Sequence, residues 1–224
     1  MIPRPDFSLS VRGNVRPMLG LALVAALLVI AACASDPPTR FHSLLPAEPV
    51  RAALADGAAS ASAEPIAIML DPVRIPAQVD QPQWLVRLPD GSLQLLEQDR
   101  WAAPLRDELH AALLEALALR WGAIEGAASA GAAAARPWRI ALDVARFESV
   151  LGREARVDVR WRIFAPTGTA PAIACSSMPR EGADTTLAIA QAHQRIVVQL
   201  ADEIGVTLRA LTRNATAACP ARAA

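Results

Sequence analysis

Lysine and tyrosine are absent from this 224-residue chain, histidine and cysteine occur three times each, and neither sign of charge is in excess. These shortages narrow the classes of function. With 22 basic and 22 acidic residues the chain has no basic stripe of the kind nucleic acid requires. No polybasic segment is present to hold anionic lipid headgroups. His42, His110 and His193 lie far apart in the sequence, so no ligand cluster is legible and no metal is expected. A Gly-x-Ser-x-Gly elbow, a phosphate loop and a Gly-rich dinucleotide fingerprint are all missing. No nucleophile with its base stands out, so no catalytic residue and no cofactor are assigned. The lack of lysine and tyrosine beside abundant alanine reads as compositional bias rather than function.

An apolar run long enough to cross a bilayer is missing too. The uncharged stretch from Pro17 to Ala32, with Leu19 to Ile30 as its apolar heart, falls short of the roughly 20 residues a spanning helix needs. Arg4, Arg12 and Arg16 precede it, opposed only by Asp6, which is the layout of a signal peptide. The run closes with Ile30-Ala31-Ala32-Cys33, which resembles the lipobox of bacterial lipoproteins. The small residues let the backbone enter a signal peptidase, and the Cys33 thiol is the nucleophile that accepts a diacylglycerol. The competing reading is an ordinary secreted chain with a chance cysteine at its cleavage site. A mature chain from Cys33 loses three arginines and one aspartate and becomes slightly acidic.

If Cys33 carries lipid, Cys175 and Cys219 remain as an even pair in an oxidising compartment, where disulfides persist. They form either one disulfide or two free thiols. Neither has a His or a second Cys at ligand spacing.

The expected organisation is a signal peptide over 1–32, a lipidated cysteine with a flexible tether over 33–64, and one folded domain over 65–224. The tether is rich in Pro, Ala and Ser, with too little apolar surface to offset its ordering entropy. Phe41 to Leu45 is its one apolar patch, a candidate edge strand. Ile66 to Leu70 opens the domain as a strand. Trp84 to Leu88 and Ser92 to Leu96 flank Pro89-Asp90-Gly91, a hairpin signal because Gly readily takes positive φ.

Leu105, Leu109, Leu113 and Leu117 mark an amphipathic helix over about 101–120, with Asp99 as its expected cap and Gly122 as its stop. Trp138, Ile140, Leu142 and Val144, then Val157, Val159, Trp161 and Ile163, alternate with polar residues and predict a long antiparallel hairpin turning near Gly152. Its outer face carries Arg139, Arg156, Arg160 and Arg162 among carboxylates. A solvated sheet face is the ordinary reading, and a phosphate or lipid-headgroup site is the alternative. Ala172 to Ser176 is a further short strand. Ile189, Ile196, Leu200, Ile204, Leu208 and Leu211 stripe a last helix over about 185–211, with Asp184 as cap and His193 in a packing position. The predicted fold class is α+β: an antiparallel sheet with two main helices on one face.

Four stretches, in this order behind the lipobox, resemble one family: Asp71–Arg87 (DPVRIPAQVDQPQWLVR), Arg100–Leu105 (RWAAPL), Leu142–Glu148 (LDVARFE) and Ala190–His193 (AQAH). The chain resembles the auxiliary lipoproteins of ABC-type intermembrane lipid transport systems, the PqiC/YmbA-like group. The resemblance implies a non-enzymatic subunit that docks a periplasmic phospholipid conduit of the mammalian-cell-entry (MCE) type at the outer membrane, as a single copy or a ring. It implies an ABC permease system as further partner and lipid on Cys33 as the only attached group. Ala34 after the lipid cysteine, rather than Asp, fits outer-membrane sorting. The chain departs from the family in its alanine-rich tether and in His42, where an aromatic is expected. Trp84 and Trp101 are candidate partner anchors, with core packing as the favoured alternative. Two other functions stay open: a carrier that itself binds an acyl chain, and a periplasmic hydrolase.

Overall fold

The computed structural model describes residues 37–56, 64–126, 136–213 and 216–220. The expected signal peptide over 1–32 and Cys33 lie outside the described residues. Thr39–Ala224 forms one compact unit.

Local hairpin signals build its centre. Strand β3 (Gln83–Arg87) turns through Gly91, at φ 88, into β4 (Leu93–Trp101). Strand β6 (Trp138–Val150) turns through Gly152, at φ 68, into β7 (Glu154–Phe164), which pairs in turn with β8 (Pro171–Ser177) and β9 (Arg180–Gly182). All these pairs are antiparallel.

The sheet as a whole is mixed, which corrects the antiparallel expectation while leaving the α+β class intact. Strand β1 (Arg40–His42) runs parallel to β4. Strand β2 (Ile66–Leu70) runs parallel to both β5 (Ala123–Glu125) and β6. One edge of β6 receives β2 at Trp138–Ile140 and β3 at Ser149–Val150, and its other edge receives β7. Hairpin turns are written locally, whereas a parallel partner lies far away in the chain and leaves no local mark.

Ala145 is skipped in the β6–β7 register, between Val144 and Arg146. One extra residue reverses the side-chain parity of a strand. Ile140, Leu142 and Val144 therefore face the core before it, and Phe147 and Ser149 after it. Helix α2 (Leu105–Trp121) and helix α3 (Thr186–Thr212) cover this face, burying Leu105, Leu109, Leu113 and Leu117 with Ile189, Ile196, Leu200 and Ile204. The outer face of the β6–β7 hairpin is rich in charged residues, while Met69 of β2 and Leu95 of β4 stand exposed.

Three boundary expectations change. Asp99 does not cap α2, because β4 runs on through Trp101 and the helix begins only at Leu105, after Pro104. Thr185 rather than Asp184 caps α3, its Oγ1 accepting from the Ala188 amide at 3.1 Å. The folded unit also starts before residue 65, since β1 and helix α1 (Glu48–Asp56) belong to it. Alanine, which made the segment look featureless, is the strongest helix former.

Gly205 in α3 lies directly under the Trp121 indole, where an ideal Cβ would come within 2.3 Å of Cδ2 and 2.4 Å of Cγ. The ring cannot swing aside cheaply, because its Nε1 donates to Asp202 Oδ1 at 3.0 Å. Gly to Ala inside a helix ordinarily stabilises by about 1 kcal/mol. Here the overpacking cost, about 3 kcal/mol at the high end of its range, reverses the sign. Gly205→Ala is expected to lose about 2 kcal/mol net, a fall in Tm of about 6 °C for a domain of this size. A thermal melt with an unchanged or higher Tm would show that the ring has room to move.

Candidate functional site

The chain that leaves the Cys33 region enters the fold at β1, and two buried carboxylates fasten it there. Arg40 donates from Nε and Nη2 to the two Asp99 oxygens at 2.9 and 2.7 Å. The His42 Nε2 sits 2.8 Å from Asp99 Oδ1. One turn into α2, Glu108 accepts from the Ser43 hydroxyl at 2.7 Å and from the Leu44 amide at 2.8 Å. Gln194 of α3 donates to the Ser43 carbonyl at 2.9 Å. Burial alone would raise the Asp99 carboxyl. The hydrogen bonds from Arg40 and His42, and their charges, outweigh it and hold the group below the usual carboxylate range.

His42 also stacks on Trp84 with ring centroids 4.5 Å apart. It thus supplies the flat ring that the family resemblance leads one to expect, and adds a hydrogen bond. From Trp84 a chain of rings runs inward: Trp101 at 4.6 Å, then Phe147 at 5.9 Å, then His193 stacked on Phe147 at 4.0 Å. Trp84 and Trp101 are only 2% and 5% exposed, so neither is a surface anchor for a partner. They are core residues, placed inward by the period-two alternation of β3 and β4.

His193 is fully buried, with Nε2 2.9 Å from Ser149 Oγ and no hydrogen-bond partner for Nδ1 among the described residues. Burial pushes its pKa down from 6.5 to about 3, so the ring is neutral and structural at physiological pH. His110 stands elsewhere, its Nε2 3.3 Å from the Leu70 carbonyl. The three histidines are not brought into one cluster, and no group of metal-ligating residues forms among the described residues. No helix among them is long and apolar enough to cross a membrane. Cys175 in β8 is joined to Cys219 in the C-terminal tail, with Cα atoms 5.5 Å apart.

Outside the clamp lies a groove of about 640 Å³ between the segment 41–54 and helices α2 and α3. Leu44 and Ala112 belong to its inner wall. Phe41 and Leu187 stand on its rim, 66% and 62% exposed, with Val50 beside them. Sequence patterning missed this site. Leu187 is off the apolar stripe of α3, and Phe41 and Val50 lie in the stretch read as tether. The signal available was the recurrence of Phe41, Leu44, Leu45, Val50 and Leu54, of which only the patch Phe41 to Leu45 stands out against the alanines.

Comparisons with known proteins agree with this architecture. Two crystal structures share the fold at a TM-score of 0.54. One is of an uncharacterised protein at 13% identity, covering 64% of this chain and 92% of that one. The other is of a protein from Xanthomonas campestris at 21% identity, covering 67% and 88%. Among curated proteins none matches. The family described as ABC-type transport auxiliary lipoprotein component matches residues 49–205, from α1 deep into α3. Over that span, which holds most of the sheet and both core helices, the chain belongs to the ABC-type transport auxiliary lipoprotein family.

Proposed function

We propose that this lipoprotein is the outer-membrane subunit of an MCE-type intermembrane phospholipid transport system. It is anchored by lipid on Cys33 at the periplasmic face and docks the periplasmic conduit there without doing chemistry of its own. The observation that carries this reading is the apolar rim of Phe41, Val50 and Leu187 at the end of the domain where the anchor joins. Exposed apolar residues grouped around a groove mark interaction surfaces. The chain from Cys33 to the clamped Arg40 reaches at most about 25 Å when fully extended. A conduit arriving at the membrane would meet this end of the domain first.

The test is affinity purification of the lipidated chain from solubilised envelopes, comparing wild type with a Phe41→Asp/Leu187→Asp variant. Wild type is expected to bring down an MCE protein, in complexes holding more than one copy of this chain, and intact mass is expected to show acylated Cys33. The variant is expected to recover about tenfold less, the effect of roughly 1.4 kcal/mol of lost interface energy. Both substitutions are at exposed positions, so the fold survives. Recovery of no MCE protein by wild type removes the adaptor reading, and equal recovery by the variant moves the docking surface elsewhere.

The groove volume favours one second reading. At about 640 Å³ it lies within the range of small-ligand sites, about 300–1,000 Å³. A lipid carrier would retain one acyl chain there, and organic extraction followed by mass spectrometry would find lipid near one per chain.

A further inference from the structure

A second cleft, of about 770 Å³, opens where the segment 71–75 runs alongside β6 at the open end of the β6–β7 hairpin. Four arginines line it, Arg74, Arg106, Arg139 and Arg162, with Asp71 as the one acidic residue. In the β6–β7 register Arg139 is opposite Phe164 and Arg162 is opposite Ala141. The two arginines therefore share one sheet face as diagonal neighbours, about 7–8 Å apart at Cα. The small Ala141 leaves open space in front of Arg162. Arg74 is fixed across the gap, its amide donating to the Leu142 carbonyl at 3.3 Å and its carbonyl accepting from Val144 at 2.9 Å.

The concentration of four arginines around one carboxylate sets the cleft apart on the outer face. Further along the same hairpin Arg156 pairs with Asp158 at 2.9 Å and Arg146 with Asp158 at 3.1 Å, while Arg160 has only Asp143 opposite it in register. In the cleft, Arg139 is held by Asp71 at 2.9 Å, with its guanidinium carbon 3.7 Å from the Phe164 ring centre, and Arg106 pairs with Asp80. Arg74 and Arg162 form no salt bridge among the described residues, Arg74 having Asp143 as its backbone bridge partner. Two oriented cations and two unpaired ones, in a chain whose every basic side chain is an arginine, make a fork-shaped set of N–H donors. Val73, Leu142 and Phe164 add apolar walls.

We infer that this cleft is an anion site for a phosphate group, held in forked hydrogen bonds by Arg74 and Arg162 with Arg139 as the oriented third donor. The same chemistry is offered by a phospholipid headgroup, which is a phosphodiester, and by free phosphate. The site does not depend on the docking role proposed above, since it is built by different residues.

Titration calorimetry of the detergent-solubilised full chain, with a micelle-only blank, tests it with two soluble probes. These are inorganic phosphate and glycerophosphoglycerol, the headgroup of phosphatidylglycerol without its acyl chains. Wild type is expected to bind at least one of them, and an Arg74→Gln/Arg162→Gln variant at least about tenfold more weakly, the loss of two charge-assisted contacts. Tighter binding of the glycerol diester assigns the site to a lipid headgroup, and tighter binding of inorganic phosphate assigns it to the free ion. An Arg74→Lys/Arg162→Lys variant keeps the charge without the fork and is expected to fall between the two. Because Arg74 is exposed and Arg162 lies on the outer face, the variants retain the wild-type circular dichroism. Equal binding by wild type and the Gln variant, or binding of neither probe by wild type, overturns the inference.

Discussion

Lowering the pH from 7.5 to 4.5 is expected to cost the wild-type fold about 3 kcal/mol more than it costs a His193→Gln variant. The group responsible is the buried imidazole, whose pKa falls from 6.5 to about 3 on folding because burial disfavours its charged form. Above 6.5 the ring is neutral in both states and exerts no pull. As the pH drops below that value the unfolded chain binds a proton that the folded chain refuses, and each pH unit shifts the balance toward unfolding by about 1.4 kcal/mol. The loss continues until the pH approaches the folded value near 3, and there it ends.

The surroundings explain why the folded state holds out. His193 is stacked at 4.0 Å on Phe147, with Trp101 edge-on at 6.2 Å, and no carboxylate touches it to stabilise a cation. Its one polar contact, to Ser149, can serve either tautomer of the neutral ring, while a second ring proton on Nδ1 would have no acceptor among the described residues. Glutamine can keep the Ser149 contact and cannot titrate. At pH 7.5 the variant loses ring stacking and is somewhat less stable than wild type. The decisive quantity is therefore the difference between the two urea midpoints at each pH. Parallel falls in wild type and variant would mean that water or a local opening lets the folded imidazole take up its proton.

The reach of sequence patterning into this fold stopped at local physics. Gly91, Gly122 and Gly152 fall where turns and a helix end were expected, because a left-handed backbone is a one-residue requirement. The alternating run of β7 and the leucine stripe of α2 likewise carry their period in the residues themselves. The bulge at Ala145 does not, since nothing in Val144-Ala145-Arg146-Phe147 announces that parity changes there rather than at the strand end. Strands β5 and β9, three residues each, are too short to display a period. Asp99 reads as a helix cap because it precedes an apolar stripe, but its place is decided by β1, whose Arg40 lies 59 residues earlier. The groove is the least legible feature, built from β1 with the turn after it, α1, α2 and α3, each contributing a few apolar residues that look incidental alone.

Removing the Asp99 carboxylate is expected to release β1 from the domain. Asp99→Ala should cost about 3 kcal/mol, the lower end of the range for breaking a buried ion pair. The estimate stays low because Arg40, with 63% of its side chain exposed, can return to water once its partner is gone. His42 cannot, being wedged between the lost carboxylate and the Trp84 ring, and its Nε2 would be left unpaired. Asp99→Asn keeps the shape and one acceptor and should lose about 1–2 kcal/mol, the value of a charge-assisted over a neutral hydrogen bond. The pH dependence has a definite sign. With its folded pKa below the ordinary carboxylate value, Asp99 contributes its full stability above that value and loses it as the pH falls through the folded one, so both variants flatten only the most acidic part of the profile. Hydrogen exchange gives the local readout: the Ala102 amide, which donates to the His42 carbonyl at 2.8 Å, should lose protection, while β6 and β7 keep theirs. The functional consequence follows from geometry. With β1 free, the first fixed point of the chain retreats from Arg40 to Ser43, held by Glu108 and Gln194, and the leash from Cys33 lengthens by about 10 Å. Retained protection at Ala102 and an unchanged urea midpoint would mean that Glu108 and Gln194 alone suffice to hold β1.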